Sequence, residues 1–468
     1  MVREIVRQHL RFFVLATFAG LALRLLFVFR FPALTADTFV YGDIAKNWLQ
    51  HGIYGLSGSN GITPTYIRLP GYPSFLAAVF AVFGIEHYRA AVVLQVFVDL
   101  ATCFLTADIA RRLLSSSAAR AAFVLSALCP FLADYAAAAL TETWEIFFTV
   151  LALDLALLGL SRDYDSSPRA WIGCGFATGA TILLRPDGGL LLIALELFLL
   201  AAIIRQRTKS GQPGSTEPKV YRLLKAGFIV AVIAIAPLVP WALRNLHTLH
   251  AFEPLAPRYA NAPGAFVPMG FERWVKTWIA DYVSTEEIYW VVSTGPMDVD
   301  NLPSRAFDSP AQEDQTEQLL TDYNQSLHLT PDLDARFAAL AAERIHHSPL
   351  RYYVWLPLLR IADMWLRPRT EILPCNTRWW EFDEMPQWLV LSITLGTLNL
   401  LYVGAGLLGL LRGHFASGAG LLLTFVVLRS LFLGSLENPE PRYTLECYPV
   451  LIVMAAGLFS RIPNRNHS

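Results

Sequence analysis

The stretch FFVLATFAGLALRLLFVFRFPALTADTFVYGDIAKNWLQHG, residues 12–52, begins as an apolar run and passes at once into two acids, Asp37 and Asp43, with Tyr41 between them. A spanning helix needs about 20 apolar residues, and residues 12–31 supply them. The run is too long for the core of a signal peptide and lacks a small-residue cleavage site, so it reads as a retained helix. The whole chain repeats this character. Of its 468 residues 54% are hydrophobic and only 16% are charged, with a mean hydropathy of +0.42. Soluble domains carry about a quarter charged residues. An all-α polytopic membrane protein is expected.

Hydropathy gives about ten spans: 12–31, 90–110, 118–137, 143–161, 170–185, 188–204, 226–243, 386–411, 415–434 and 442–460. Two shorter apolar runs, 70–84 and 352–366, read as helices lying at the interface or against the bundle. Lys and Arg gather in cytoplasmic loops. With ten spans, Arg3, Arg7, Arg11, Arg111, Arg112, Arg120, Arg162, Arg169, the basic loop 205–225, Arg412, Arg461 and Arg465 fall on one side. Both termini are then cytoplasmic, and the acid-rich residues 246–350 are outside. The expected organisation is a transmembrane core over 1–245 with a first outer loop at 32–89. A large outer loop comes next at 246–385, then C-terminal helices at 386–468. A formal net charge of −1 gives no reason to expect a nucleic-acid partner. Cys103, Cys129, Cys174, Cys375 and Cys447 form neither a zinc spacing nor a disulfide framework.

This topology gathers polar groups at the outer ends of the spans. They are Asp37, Asp43 and Arg68 in the first loop, Glu142 in TETW, Arg185 in LLRPDGG, Trp241 and Arg244 in PWALRN, and Arg442 with Tyr443 in ENPEPRY. Each has an ordinary reading. Asp37 fits a helix N-cap as well as a catalytic carboxylate. Arg68 fits a snorkelling cation at a turn. Glu142 suits a helix N-terminus. Arg185 fits a tight turn between two short helices, and Trp241 an interfacial belt. Arg442 fits a flanking charge.

Order and combination favour the other reading. Asp37-x-x-x-Tyr41-x-x-Ile44-Ala45-x-Asn47 resembles the first-loop signature of the GT-C glycosyltransferases, in their protein O-mannosyltransferase and lipid A aminoarabinose transferase branch. Arg68, Pro70, Gly71, Tyr72 and Pro73 are similar to that branch's Arg-x-Pro-Gly-Tyr-Pro element. Arg185–Pro186, then Pro240, Trp241, Arg244 and Asn245, and finally Arg442 with Tyr443 come in the same order. Residues 255–385 match nothing in it. One position departs: Asp37 is followed by Thr38 where the mannosyltransferases often carry Glu.

The resemblance implies a GT-C-like helical bundle that takes a sugar from a polyprenyl-phosphate donor to an extracytoplasmic acceptor hydroxyl at the cell membrane. It implies Asp37 as general base, with Glu142 and Asp43 behind it. Arg442 would bind the donor phosphate, followed by Arg68, Arg185 and Arg244, because the planar fork of arginine matches phosphate oxygens. Tyr41, Tyr72, Trp241 and Tyr443 would line the substrate. No cofactor and no catalytic metal are expected, since His346, His347, His247 and His250 have no metal spacing. Two rivals stand beside this reading. Asp99, Glu145, Asp154, Glu196 and Arg429 lie inside expected spans, and such charges often mark the path of a transporter or flippase. A non-catalytic membrane assembly subunit is the other.

Overall fold

The computed structural model describes residues 2–161, 168–209, 217–262, 264–381 and 385–460. Arg162, Arg461, Arg465 and residues 210–216 of the basic loop lie outside the described residues. The elements are helices and one hairpin. In chain order they are α1 (Val2–Gln8), α2 (Leu10–Arg30), α3 (Ala36–His51), β1 (Gly55–Gly58), β2 (Gly61–Pro64), α4 (Gly71–Phe83) and α5 (Tyr88–Leu113). Next come α6 (Ser116–Ala127), α7 (Pro130–Ala136), α8 (Glu142–Leu160), α9 (Arg169–Leu184), α10 (Gly189–Lys209), α11 (Glu217–Ile235) and α12 (Leu238–Leu249). The remainder are α13 (Met269–Val275), α14 (Pro310–Ser326), α15 (Pro331–His347), α16 (Leu356–Leu366), α17 (Pro386–Arg412), α18 (Ala419–Gly434) and α19 (Tyr448–Ala455).

Among the described residues, seven helical segments are long and apolar enough to cross a membrane, and α6 with α7, bent by 51°, makes up to eight. The bend falls where Pro130 opens α7, since the residue before a proline is pushed out of the helical region. The expected spans at 170–185 and 415–434 are the apolar helices α9 and α18, of 16 residues each. That is shorter than the usual range of about 17–25. The run at 70–84 is the 13-residue α4.

The chain divides into two compact units. The first holds residues 1–263, 402–427 and 445–468. Its membrane helices are held together partly by buried charge. Arg24, 0% exposed, donates from Nε to Asp99 Oδ2 at 2.6 Å and from Nη1 to the Ala127 carbonyl at 2.6 Å, tying α2 to α5 and to the end of α6. Arg112 on α5 donates to Asp154 on α8 at 2.7 Å and to Asp108 at 2.7 Å. Asp99 and Asp154, two acids that sequence alone offers to a transport path, are thus bound to arginines.

The second unit holds residues 264–401 and 428–444. It has its own core, in which Phe271, Trp274 and Trp278 pack against Tyr323 of α14 and Phe337 of α15. Arg344, also fully buried, is satisfied by Thr277 Oγ1, Gln312 Oε1 and the Arg305 carbonyl at 2.9–3.0 Å. Most of the segment expected as an outer loop is therefore a folded helical body.

Candidate functional site

The site of the first unit is built around α3. Its N-cap is Thr35: Thr35 Oγ1 accepts from Thr38 N, and Thr38 Oγ1 accepts from Thr35 N at 3.1 Å, a reciprocal capping box. This corrects the reading of Asp37 as the cap, and it gives Thr38 a purpose. Asp37 lies in the first turn instead, where Arg68 Nη2 donates to its Oδ1 at 2.7 Å. Both side chains are partly open, 30% and 24% exposed. One helical turn further, Tyr41 offers its ring to the same guanidinium, 5.6 Å away.

Five contacts fix where this turn lies. Thr38 Oγ1 donates to the Ala139 carbonyl at 3.2 Å, and Ala33 bridges Ala138, so the loop entrance is pinned to the segment leading to Glu142. Tyr41 meets Tyr72 edge to face at 5.1 Å. Tyr72 donates to Gln95 Oε1 at 2.8 Å, and Gln95 Nε2 donates to the Ala138 carbonyl at 2.7 Å. Gly71 brings the Arg68 motif to the end of α9: a Cβ there would stand 2.6 Å from the Leu183 carbonyl oxygen. Two residues beyond Leu183 is Arg185.

Arg185 is shared by three carboxylates. It lies 3.4 Å from Glu142, 3.5 Å from Glu145 and 3.1 Å from Asp187. Glu142 and Glu145 are each 1% exposed. Both arginine–carboxylate groups act electrostatically on Tyr41. Burial pushes its hydroxyl up to about 12, and the charges acting on it are, in order, Arg68, Asp37, Arg185 and Glu142. Tyr41 is thus a neutral hydrogen-bond donor at any ordinary pH.

Asp43 is placed differently. It accepts from Ser57 N at 2.6 Å and Ser57 Oγ at 2.8 Å, and Lys46 lies 3.3 Å away. Partial burial alone would raise its carboxyl, but the Ser57 and Lys46 contacts outweigh it and hold the group below its ordinary range. Asn47 Nδ2 adds bonds to the Gly55 carbonyl and Ser57 Oγ, both at 3.1 Å. Asp43 therefore fastens the β1–β2 hairpin to α3. The hairpin region in turn holds Arg244, whose Nη1 donates to the Thr65 carbonyl and Nη2 to the Tyr54 carbonyl, each at 2.6 Å. Trp241 and Arg244, with Trp48 and Tyr54, border a cleft of about 490 Å³ between α3, the hairpin and α12.

The first unit thus gathers Asp37, Tyr41, Arg68, Tyr72, Glu142 and Arg185, with Trp241 and Arg244 at the neighbouring cleft. Arg442 and Tyr443 belong to the second unit. There Arg442 Nε lies 2.6 Å from Glu440, and its guanidinium is over the Tyr443 ring at 5.4 Å. Reasoning from sequence missed Glu145 and Asp187 as partners of Arg185, and it missed Gln95. The signal for Glu145 was its place one turn after Glu142; for Asp187, its place beside Arg185–Pro186. Among the described residues no three His, Cys, Asp or Glu side chains are grouped to hold a metal ion.

A family model described as dolichyl-phosphate-mannose-protein mannosyltransferase matches residues 67–241, which run from the Arg68 motif to Trp241. The chain matches no curated protein. Among solved structures it is similar to the archaeal oligosaccharyltransferase AglB from Archaeoglobus fulgidus, in complex with an inhibitory peptide and a dolichol-phosphate. The TM-score is 0.51 at 14% identity, covering 96% of this chain and 50% of that one. It is also similar to ArnT from Cupriavidus metallidurans bound to undecaprenyl phosphate, with a TM-score of 0.41 at 16% identity over 97% of this chain and 78% of that one. The chain spans about half the length of AglB.

Proposed function

We propose that this chain, whose fold is that of the GT-C glycosyltransferases, moves a sugar from a polyprenyl-phosphate carrier to a hydroxyl acceptor outside the membrane. One observation carries the reading: two arginine–carboxylate groups, Asp37 with Arg68 and Glu142 with Arg185, both act electrostatically on the single phenol of Tyr41, and Arg68 stands over its ring. Such a site offers a base and a cation within reach of one reacting carbon, as direct displacement requires.

In this reading Arg68 guards Asp37 until a donor arrives. A phosphate oxygen competes for the guanidinium, with which it makes strong charge-assisted bonds, and Asp37 is released to the acceptor. The acceptor hydroxyl gives its proton to Asp37 as its oxygen bonds to the anomeric carbon. The bond from that carbon to the phosphate oxygen breaks, and the electron pair leaves with polyprenyl phosphate. Attack and departure on opposite faces invert the anomeric centre. Arg68 leads the phosphate donors within the first unit, because Arg244 already donates to backbone carbonyls and Arg185 is shared among three acids. Arg442, in the second unit, stays a proposed phosphate-binding residue by its place in the sequence order alone. Glu142 orients Tyr41 and the acceptor through Arg185. Tyr72 and Trp241 shape the substrate site, and no metal or cofactor takes part. Both termini are cytoplasmic and the site opens on the outer face of the cell membrane. The pairing of Asp99 with Arg24 and of Asp154 with Arg112 supports this reading over a charged transport path.

The test is release of free polyprenyl phosphate from polyprenyl-phosphate mannose, and from other polyprenyl-phosphate sugars, in membranes that contain the protein. Expected is release with at least one donor, lowered by Arg68→Ala. Equal release in membranes with and without the protein, for every donor, contradicts it.

A further inference from the structure

Gln95 lies on α5 one turn before Asp99, and residues four apart share a helix face. Asp99 is fastened to Arg24, and Arg24 to the end of α6, so this stretch of α5 is a fixed post. From that post Gln95 joins two other segments. Its Oε1 accepts from the Tyr72 hydroxyl at 2.8 Å, and its Nε2 donates to the Ala138 carbonyl at 2.7 Å. All three residues are fully buried, so bulk water does not compete for either bond.

The orientation of the amide is forced. A carbonyl only accepts, so Nε2 must face Ala138, and Oε1 must take the Tyr72 proton. Each end of this chain of bonds bears on the Tyr41 site. Tyr72 abuts Tyr41 edge to face. Ala138 bridges Ala33, just before α3, and the next carbonyl, that of Ala139, accepts from Thr38. The Ala138 carbonyl also accepts from Leu140 N at 2.9 Å, in the turn that enters Glu142. One amide thus bonds the ring against which Tyr41 rests and the turn that leads to Glu142.

We propose that Gln95 is a positioning residue, whose amide sets the spacing between α3, with Asp37 and Tyr41, and the segment 138–142, with Glu142. It acts through Tyr72 and Ala138, not on the reacting atoms. The inference rests on the sugar-transfer reading for what the spacing serves. Asp37 and Glu142 come from different segments, and a small misplacement of reacting groups costs orders of magnitude in rate. A replacement needs one acceptor and one donor at the same reach. Methionine is of similar length, with no donor and only a weak acceptor. Glutamic acid offers both while protonated, and only acceptors once ionised.

Two readouts test this, one of them without sugar. In full-length protein with Cys375→Ser, Ala33→Cys and Ala138→Cys are oxidised with copper phenanthroline, and their disulfide is followed by mass spectrometry. Every variant is compared with Gln95 at the same pH. Gln95→Met should slow the disulfide by roughly two- to tenfold, the scale of one lost hydrogen bond. It should also lower kcat for release of polyprenyl phosphate more than it raises KM for the donor. Gln95→Glu at pH 6 should recover most of both losses. An unchanged disulfide rate in Gln95→Met overturns the proposal, and so does a slowed disulfide with kcat unchanged. Gln95→Glu no better than Gln95→Met at pH 6 also overturns it, because the loss would then come from side-chain shape. If the wild type releases no polyprenyl phosphate from any donor, the proposed function falls, and the disulfide rates alone decide whether Gln95 holds the two segments.

Discussion

Thr35 closes the start of α3, and this leaves Asp37 outside the cap, facing Arg68. The two positions should separate cleanly on substitution. Thr35→Ala should lower stability by about 1 kcal/mol, the usual cost of a lost cap, seen as a lower melting temperature. Asp37→Asn should leave melting nearly unchanged. Asp43 contrasts with both. Its carboxyl is held below the ordinary range, so its contribution to stability is present above the unfolded value of about 4 and is lost as pH falls through the lower folded value. Asp43→Asn should destabilise the protein by about 1–2 kcal/mol at pH 7, as expected for hydrogen bonds to a charged group. The gap from wild type should close as pH drops below about 4. A gap that is constant with pH would remove the ionised latch. The Asp37 cap was a reasonable inference from one acid before a helix. It failed because Thr35 and Thr38 bond each other three residues apart, a reciprocity that one residue type does not advertise.

At the scale of elements, the long apolar helices were legible because burial in lipid leaves a run of hydrophobic residues. α9 and α18 were legible as apolar but not in length. The β1–β2 hairpin was missed. It rests on four residues a side, with Gly55, Gly58 and Gly61 among them, and its anchor is Asp43, 14 residues before Ser57. The charges inside the spans were visible too, yet their meaning lay in partners far along the chain. Asp99 finds Arg24 at a distance of 75 residues, and Glu145 finds Arg185. A buried ion pair that loses one member costs about 3–5 kcal/mol, because the other charge is stranded. Asp99→Ala should therefore be strongly destabilising, while Asp99→Ala with Arg24→Met should recover much of the loss. Thermal unfolding in detergent of the single and double variants decides it; no recovery in the double variant would mean that the pair is not what holds α2 to α5.

At the scale of the whole molecule, hydropathy and charge set the class but not the partition. Residues 246–385 looked like a loop because they carry no apolar run of spanning length, and most of them form a helical body around Trp274, Trp278 and Phe337. Its core is drawn from residues far apart in sequence, which periodicity does not reveal. Cytoplasmic termini with an outer active face make a plain prediction: reporters fused after residues 210 and 300 should lie on opposite sides of the membrane. The same side for both would undo the assignment of an outer face. The central claim is that Asp37 takes the acceptor's proton while arginines hold the donor. It is tested most directly by measuring, in one preparation of Asp37→Asn, both binding of polyprenyl-phosphate sugar and its transfer. Loss of a general base costs about 10²–10⁴ in rate. Transfer reduced by that factor with donor binding close to wild type is the expected result, and wild-type transfer by Asp37→Asn would contradict the account.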